Sequence, residues 1–209
     1  MFLIFGLGNK GLEYNQTRHN FGFLLADKLI ETHQLQSKGT KFGGQVFFGK
    51  ITDQKVILIK PQDYMNNSGS CVLSASQFYK THPNNIIVLH DDLDLNLGRI
   101  KAKIGGGDCG HNGLKDIDNK IGKDYYRIRL GISNKYDDVI KNLDDNAAKK
   151  TLKNYDVSNY VLSNFSKQEL EMVEQTNQKI CKIFYLAIKK DLPKFLSQFS
   201  NQQNNLSLS

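Results

Sequence analysis

The stretch MFLIFGLGN, residues 1–9, joins an unbroken apolar run to a glycine-rich end. Apolar residues at every position are typical of a strand that is buried on both faces, in the middle of a parallel sheet. The glycines and Asn9 then predict a loop at the carboxyl end of that strand. A second apolar run, IIVL at residues 86–89, is followed directly by His90 and Asp91. The two runs predict an α/β fold in which polar side chains gather at one edge of a parallel sheet.

The rest of the chain alternates between short apolar runs and segments with helical periodicity. Four more strands are predicted, at 46–48, 56–59, 98–104 and 126–132. Helices are predicted at about 18–35, from Ser68 onward, near 112–120, from a capping box at Ser166 to about 190, and at 193–199. We expect Thr17 and Ser68 to cap the first two helices. The pattern predicts a mostly parallel, twisted mixed sheet that is flanked by helices.

Length and composition predict a single domain. A chain of 209 residues is long enough for one well-packed domain and short for two, so residues 1–199 are expected to form one unit. Residues 200–209 are rich in Asn, Gln and Ser, which predicts a disordered tail, and the polar stretch 134–155 predicts a surface excursion.

Cysteine usage and the amino terminus indicate where the protein works. The three cysteines are scattered and form no CxxC pair, which excludes a disulfide framework and favours the reducing cytoplasm. The apolar start lacks a basic flank and breaks at Gly6, so we expect neither a signal peptide nor a membrane span.

The charge pattern indicates a polyanionic partner. The formal net charge is +7, and residues 99–129 contain eight Lys or Arg against four Asp. Net charge alone also fits a domain that surface lysines keep in solution, so the position of the cations must decide. In the predicted strand 98–104, apolar residues alternate with Arg99, Lys101 and Lys103, which gives that strand one basic face. Cations on a rigid strand favour nucleic acid as the partner.

Several residues suited to hydrolysis follow predicted strands or lie in loops. His19 can act as a general base if a carboxylate fixes its tautomer, and Asp91 is the best-placed candidate, although Asp92 and Asp94 compete with it. A histidine in isolation would equally fit a structural role. Asparagines at loop positions can orient a water, a peptide or an oxyanion, and the candidates here are Asn9, Asn66 and Asn112. Ser68 is better placed as an N-cap than as a nucleophile, so water is the expected nucleophile.

Nucleotide-cofactor and metal sites are less well supported. The segment Gly6-Leu7-Gly8 begins like a dinucleotide-binding fingerprint, but Gly11 has the wrong spacing for its third glycine. Three carboxylates within residues 91–94 could indicate a metal site, yet no second histidine or glutamate stands at ligand spacing. We therefore expect neither a metal nor another cofactor.

The motifs of this chain, taken together, resemble those of the bacterial peptidyl-tRNA hydrolases. The resemblance covers roughly residues 1–190, in the family's order and spacing. It rests on Gly6-Leu7-Gly8-Asn9 with Gly11 and Tyr14, Thr17-Arg18-His19-Asn20, Met65-Asn66 with Ser68-Gly69, His90-Asp91-Asp92-Leu93-Asp94, Gly105-Gly106-Gly107 with Gly110-His111-Asn112-Gly113-Leu114-Lys115-Asp116, Arg129-Leu130-Gly131-Ile132 and Tyr160-Val161-Leu162.

The resemblance implies an activity and a catalytic set. That family cleaves the ester between a stalled peptide and the 3′ ribose of tRNA, as a metal-free, monomeric, single-domain α/β enzyme. His19 would be the general base, Asp91 its orienting carboxylate, and Asn9 a partner of the water or of the carbonyl group.

The resemblance also implies how both ends of peptidyl-tRNA are bound. Asn66 and Asn112 would bind the main chain of the nascent peptide, with Tyr14 and Met65 lining the site. Lys103 and Arg129 would clamp the 5′ phosphate of the tRNA acceptor stem.

Some departures from the family pattern leave an alternative open. Lys10 stands where the family usually has proline, and Asp108-Cys109 brings an anion into the glycine loop beside the expected RNA. Some members of the superfamily bind RNA without hydrolysis, and a non-catalytic RNA-binding factor is the alternative function. The joint presence of Asn9, His19, Asp91 and Asn112 favours the enzyme.

Overall fold

A computed structural model of the chain describes residues 1–133 and 157–204. Seven strands of these residues form one sheet: β1 (Phe2–Gly6), β2 (Gln36–Lys41), β3 (Gly44–Ile51), β4 (Gln54–Pro61), β5 (Ile86–Asn96), β6 (Ile100–Ile104) and β7 (Tyr126–Ser133). The described α-helices are α1 (Phe21–Thr32), α2 (Ser68–Phe78), α3 (Asn112–Ile121), α4 (Val157–Leu162), α5 (Lys167–Ile188) and α6 (Leu192–Asn204). The predicted α/β class is confirmed.

The strand order is β2-β3-β4-β1-β5-β7-β6. The four central strands β4, β1, β5 and β7 are mutually parallel, while β2 and β3 on one side and β6 on the other are antiparallel to their neighbours. All five residues of β1 are buried, which explains the unbroken apolar run. Parallel strands end at the same edge, so the segments that follow β1, β4 and β5 meet there.

Alternate residues of β1 face two separate apolar layers. Phe2 and Ile4 pack in the layer that includes α1, α5 and α6, whereas Leu3 and Phe5 pack in the layer that includes α2 and α3. The sheet is therefore covered on both faces, as the apolar composition of its central strands requires.

Strand β5 is longer than predicted. It continues past Leu89 to Asn96 because its pairing with β7 runs through Asp92, opposite Gly131. His90 and Asp91 consequently lie within a paired strand and not on a loop, which fixes their backbone more firmly than the sequence suggested.

Two of the predicted helix caps are wrong. The hydroxyl of Thr17 donates to the carbonyl of Tyr14 at 2.9 Å, and a short 3₁₀ turn, Arg18–Asn20, precedes α1. The hydroxyl of Ser68 likewise donates to the carbonyl of Met65 at 2.8 Å. Each hydroxyl donates backward to a preceding turn, and neither accepts an N–H group of the following helix. The capping box of Ser166 and Glu169 is confirmed.

The carboxyl-terminal helix also differs from expectation. Helix α6 continues to Asn204, so residues 200–204, expected in the tail, are helical, while 205–209 lie outside the described residues. The predicted excursion at 134–155 also lies outside them. Strand β2 was not predicted, because its residues QSKGTK are all exposed and it forms only by pairing with β3. Within the described chain, no helix is long and apolar enough to cross a bilayer.

Candidate active site

His19 and Asp91 are in direct contact at the carboxyl edge of the sheet. His19 lies on the 3₁₀ turn before α1, and its Nδ1 is 3.0 Å from both carboxylate oxygens of Asp91 on β5. Both side chains are buried. Because an ionised carboxylate only accepts hydrogen bonds, Nδ1 must carry the proton, and Nε2 keeps its lone pair. This is the tautomer that a general base requires.

Asp91 has a second histidine partner, His111. The Nε2 of His111 is 3.0 Å from Asp91 Oδ1. Its Nδ1 accepts the backbone N–H groups of Gly113 at 3.1 Å and Leu114 at 3.3 Å, at the start of α3. A nitrogen that accepts two N–H groups is unprotonated, so the proton of neutral His111 is on Nε2 and is donated to Asp91.

Electrostatics maintain the charge of Asp91. Burial by itself would raise the pKa of this carboxyl, but His19 and His111 outweigh burial and hold the pKa well below its usual range. For His19, burial acts to lower the pKa, while the charge of Asp91 and its hydrogen bond act more strongly and raise the pKa above the ordinary value. An ionised Asp91 beside a more basic His19 follows from the same contact.

Asn9 is held on three sides. Its backbone N–H donates to Asn20 Oδ1 at 2.8 Å, and its carbonyl accepts from Asn20 Nδ2 at 3.0 Å. Its own Oδ1 accepts the backbone N–H of Met65 at 2.9 Å. These bonds orient the amide and leave the NH2 group of Asn9 as a donor for a ligand, since none of the described residues accepts from it.

A pocket of about 720 Å³ connects these groups with most of the sequence-predicted binding residues. Besides Asn9, His19 and Asp91, its lining includes Met65, Asn66, Asn112, Lys103 and Arg129. The side chains of Asn66 and Asn112 form no hydrogen bond within the described part of the chain. The expectation that Tyr14 lines the site is wrong, because it does not line the pocket. Tyr64, which precedes Met65 in the chain and is 68% exposed, does.

The two expected phosphate-binding cations differ in their surroundings. Arg129 donates through Nε to Asp92, and its Nη2 is 3.9 Å from Asp94. The hydrogen bond that Asp92 accepts raises the pKa of the guanidinium. Lys103 has no carboxylate within ion-pair distance among residues 1–133 and 157–204. Its ammonium group lies over Gly106, where a Cβ would overlap it. Lys103 is therefore the less neutralised of the two cations.

His19, Asp91 and His111 could, by position, hold a metal ion. One potential ligand atom from each lies within 4.8 Å of the others. However, Nε2 of His111 carries a proton as long as Nδ1 caps α3, and a protonated ring nitrogen cannot coordinate a metal. The three groups fit a hydrogen-bonded chain better than a metal centre.

Tight packing around His19 fixes its distance from Asp91. A Cβ at Gly22, in the first turn of α1, would overlap the carbonyl oxygen of Leu89 and lie 2.6 Å from that of Leu7. On the other side, Arg18 binds both carboxylate oxygens of Glu169 in α5, at 2.7 and 2.9 Å. The turn that carries His19 is thus held against both the sheet and α5.

The sequence predicted no role for His111, and it offered Asp92 only as a competitor of Asp91 and not as the partner of Arg129. The position of His111 immediately before a predicted helix, within a His-Asn-Gly run, was the available signal, because a residue there can both cap the helix and face the strand ends. No comparable signal pairs Asp92 with Arg129, since that contact depends on the register between β5 and β7.

Known proteins match this chain over nearly its whole length. The family model described as peptidyl-tRNA hydrolase matches residues 3–207. The peptidyl-tRNA hydrolase of Rickettsia canadensis is 41% identical over 93% of this chain and 97% of its own, and that of Rickettsia prowazekii is 41% identical over 95% and 99%. The crystal structure of the peptidyl-tRNA hydrolase from Acinetobacter baumannii covers 95% of the chain and is itself covered over 94%, with a TM-score of 0.80 and 34% identity.

Proposed function

The chain belongs to the peptidyl-tRNA hydrolase family and hydrolyses peptidyl-tRNA, and from this premise we propose that His19, Asp91 and Asn9 carry out the reaction. The observation that supports this assignment is the contact between His19 Nδ1 and both oxygens of Asp91 at 3.0 Å. It leaves Nε2 as the basic atom of His19, and His19 is one of the residues that line the pocket.

The proposed reaction proceeds through direct attack by water. His19 Nε2 removes a proton from water as the oxygen attacks the ester carbonyl carbon, and Asp91 stabilises the imidazolium that forms. The NH2 group of Asn9 donates to the carbonyl oxygen, which becomes negatively charged. The bond to the ribose 3′ oxygen then breaks, and His19 returns its proton to that oxygen. The products are free tRNA and a peptide carboxylic acid, which releases its proton to solvent as the carboxylate.

Asn66 and Asn112 are proposed to bind the peptide. Their amides have no partner among the described residues, so they can pair with a peptide's backbone groups whatever its sequence. An unblocked aminoacyl ester would instead bring a charged ammonium group to these amides, which solvate it poorly. The same contacts therefore favour peptidyl-tRNA over aminoacyl-tRNA.

Lys103 and Arg129 are proposed to bind the 5′ phosphate of the tRNA. They lie on β6 and β7, at one end of the strand order, whereas Asn66 follows β4, on the other side of β5 and Asp91. This arrangement matches a substrate that extends across the catalytic strand, with tRNA on one side and peptide on the other.

Two broader expectations complete the proposal. The resemblance to the family implies action as a monomer, and sedimentation of the purified protein tests this. The substrate arises at ribosomes, which supports the cytoplasm as the compartment.

The decisive experiment is the His19→Ala variant. With N-acetylated aminoacyl-tRNA as substrate, we expect turnover to fall by about 10²–10⁴-fold while tRNA binding stays close to wild type. Retained turnover would refute the role of His19. Tight tRNA binding without ester release by the wild-type protein would instead favour a non-catalytic RNA-binding factor, and inhibition by EDTA would point to a metal.

A further inference from the structure

His111 combines two bonding roles that are rarely found in one side chain. It occupies the N-cap of α3, a position usually taken by Ser, Thr, Asp or Asn, and it caps with its ring nitrogen Nδ1. Its other nitrogen, Nε2, donates to Asp91 Oδ1 at 3.0 Å. Only 8% of the side chain is exposed, and its ring lies 4.9 Å from that of His19.

We propose that His111 is a positioning residue that sets the basicity of His19 by sharing Asp91 with it. The start of α3 fixes the tautomer of His111, so Asp91 always has a second N–H donor. This inference rests on the proposed function, because it concerns the same base and carboxylate.

Two effects of His111 act on His19 in the same direction. Its N–H draws electron density from Asp91 and so weakens the hold of Asp91 on the protonated form of His19. Its bulk keeps water from the ring of His19, which disfavours the charged form. Removal of His111 should therefore raise the pKa of His19.

Other titratable groups also face the pocket around this triad. His90 follows next, with its ring 5.2 Å from that of His111 and its Nδ1 donating to the carbonyl of Asp91 at 2.7 Å. Burial, assisted by His111, lowers the pKa of His90 to about 3, so it stays neutral. The remaining titratable groups that line the pocket are Tyr64, Asp92, Asp94, Lys103, Asp108, Cys109, Arg127 and Arg129.

The test variant is His111→Asn in the full-length protein. Asparagine is among the best N-caps and can accept the same two N–H groups, but its side chain is too short to donate to Asp91. The matched control is His82→Asn. The exposed imidazole of His82 also caps a helical turn, accepting the N–H of Asn84 at 3.3 Å, at a position that does not line the pocket.

The primary measurement is the pKa of His19 by NMR titration of the histidine ring signals, without substrate. We expect His111→Asn to raise this pKa by about half a pH unit or more, and His82→Asn to leave it in place. The acid limb of kcat/KM should move upward by the same amount, which a purely structural role of His111 would not cause.

A second variant covers the possibility that asparagine perturbs the loop. The longer amide of His111→Gln can reach Asp91 and donate to it, so the pKa of His19 should return toward the wild-type value. Wild-type pKa values of His19 in both variants would overturn the proposal. If the acid limb of the wild-type enzyme failed to coincide with the NMR pKa of His19, the base assignment would fall, while the NMR comparison would still decide the role of His111.

Discussion

Replacement of Asp91 by asparagine should be more damaging than its replacement by alanine. Asp91 accepts from Nδ1 of His19 and from Nε2 of His111, and the cap of α3 prevents His111 from changing its tautomer. The single oxygen of asparagine would therefore pair with His111, and its NH2 group would take the place of Oδ2, the oxygen that only His19 contacts. A donor at that distance from Nδ1 of His19 favours the tautomer with the proton on Nε2, the atom that has to accept a proton from water.

The size of the rate loss in each variant follows from the hydrogen bonds that the substitution removes. Asp91→Ala removes a charge-assisted hydrogen bond worth about 1.5–3 kcal/mol, or about 10- to 10²-fold in rate. In Asp91→Asn, the productive tautomer of His19 also places a donor against a donor, which costs about 1–3 kcal/mol more and brings the loss to about 10²–10⁴-fold.

Single-turnover hydrolysis of N-acetylated aminoacyl-tRNA by both variants would measure this difference, with melting temperatures to confirm folding. Equal rates, or a faster Asp91→Asn enzyme, would refute the assignment of the two tautomers.

Three further outcomes are expected from the same geometry. Because the pKa of His19 is raised, kcat/KM should fall as the pH drops through a midpoint above about 6.5. A midpoint below that pH would contradict this expectation. Lys103→Ala should reduce the slope of log affinity for tRNA against log salt concentration by about one, and Arg129→Ala by less, because a carboxylate already neutralises Arg129. Binding titrations at several salt concentrations measure both slopes, and a larger reduction in Arg129→Ala would contradict this expectation. Glu169→Gln should lower the free energy of unfolding by about 1–3 kcal/mol, because it removes the charge that Arg18 pairs with at a largely buried site. Urea denaturation measures this change, and an unchanged free energy of unfolding would mean that the Arg18–Glu169 pair does not stabilise the fold.

The sequence predicts the parts of the site that depend on local pattern. The buried runs at 2–7 and 86–89 identify the central strands, and the rule that parallel strands end at one edge brings Asn9 and Asp91 together. The contact between His19 and Asp91 is then a short step, because a helix that follows β1 begins at that edge.

The features of the fold and the site that the sequence does not predict depend on strand register and on competition for hydrogen bonds. The length of β5 is set by its partner β7, which the apolar pattern of β5 alone does not contain. Thr17 and Ser68 have the composition of caps but donate backward to carbonyl groups, an alternative that sequence does not distinguish. The two roles of His111 arise only once α3 lies against β5.

The tight packing at Gly22 affects how a mutational scan of this protein should be interpreted. This residue has no functional group, yet the carbonyl oxygens of Leu7 and Leu89 leave no room for even a methyl group. Any side chain there would push the start of α1 away from the strands and carry His19 with it, and a shift of 1 Å in a catalytic group can cost about 10²-fold in rate. In a screen that scores growth or turnover, Gly22 should therefore be as intolerant as the base itself. A map of intolerant positions would therefore not distinguish Gly22, which acts through packing, from residues that take part in the chemistry, whereas the structure does.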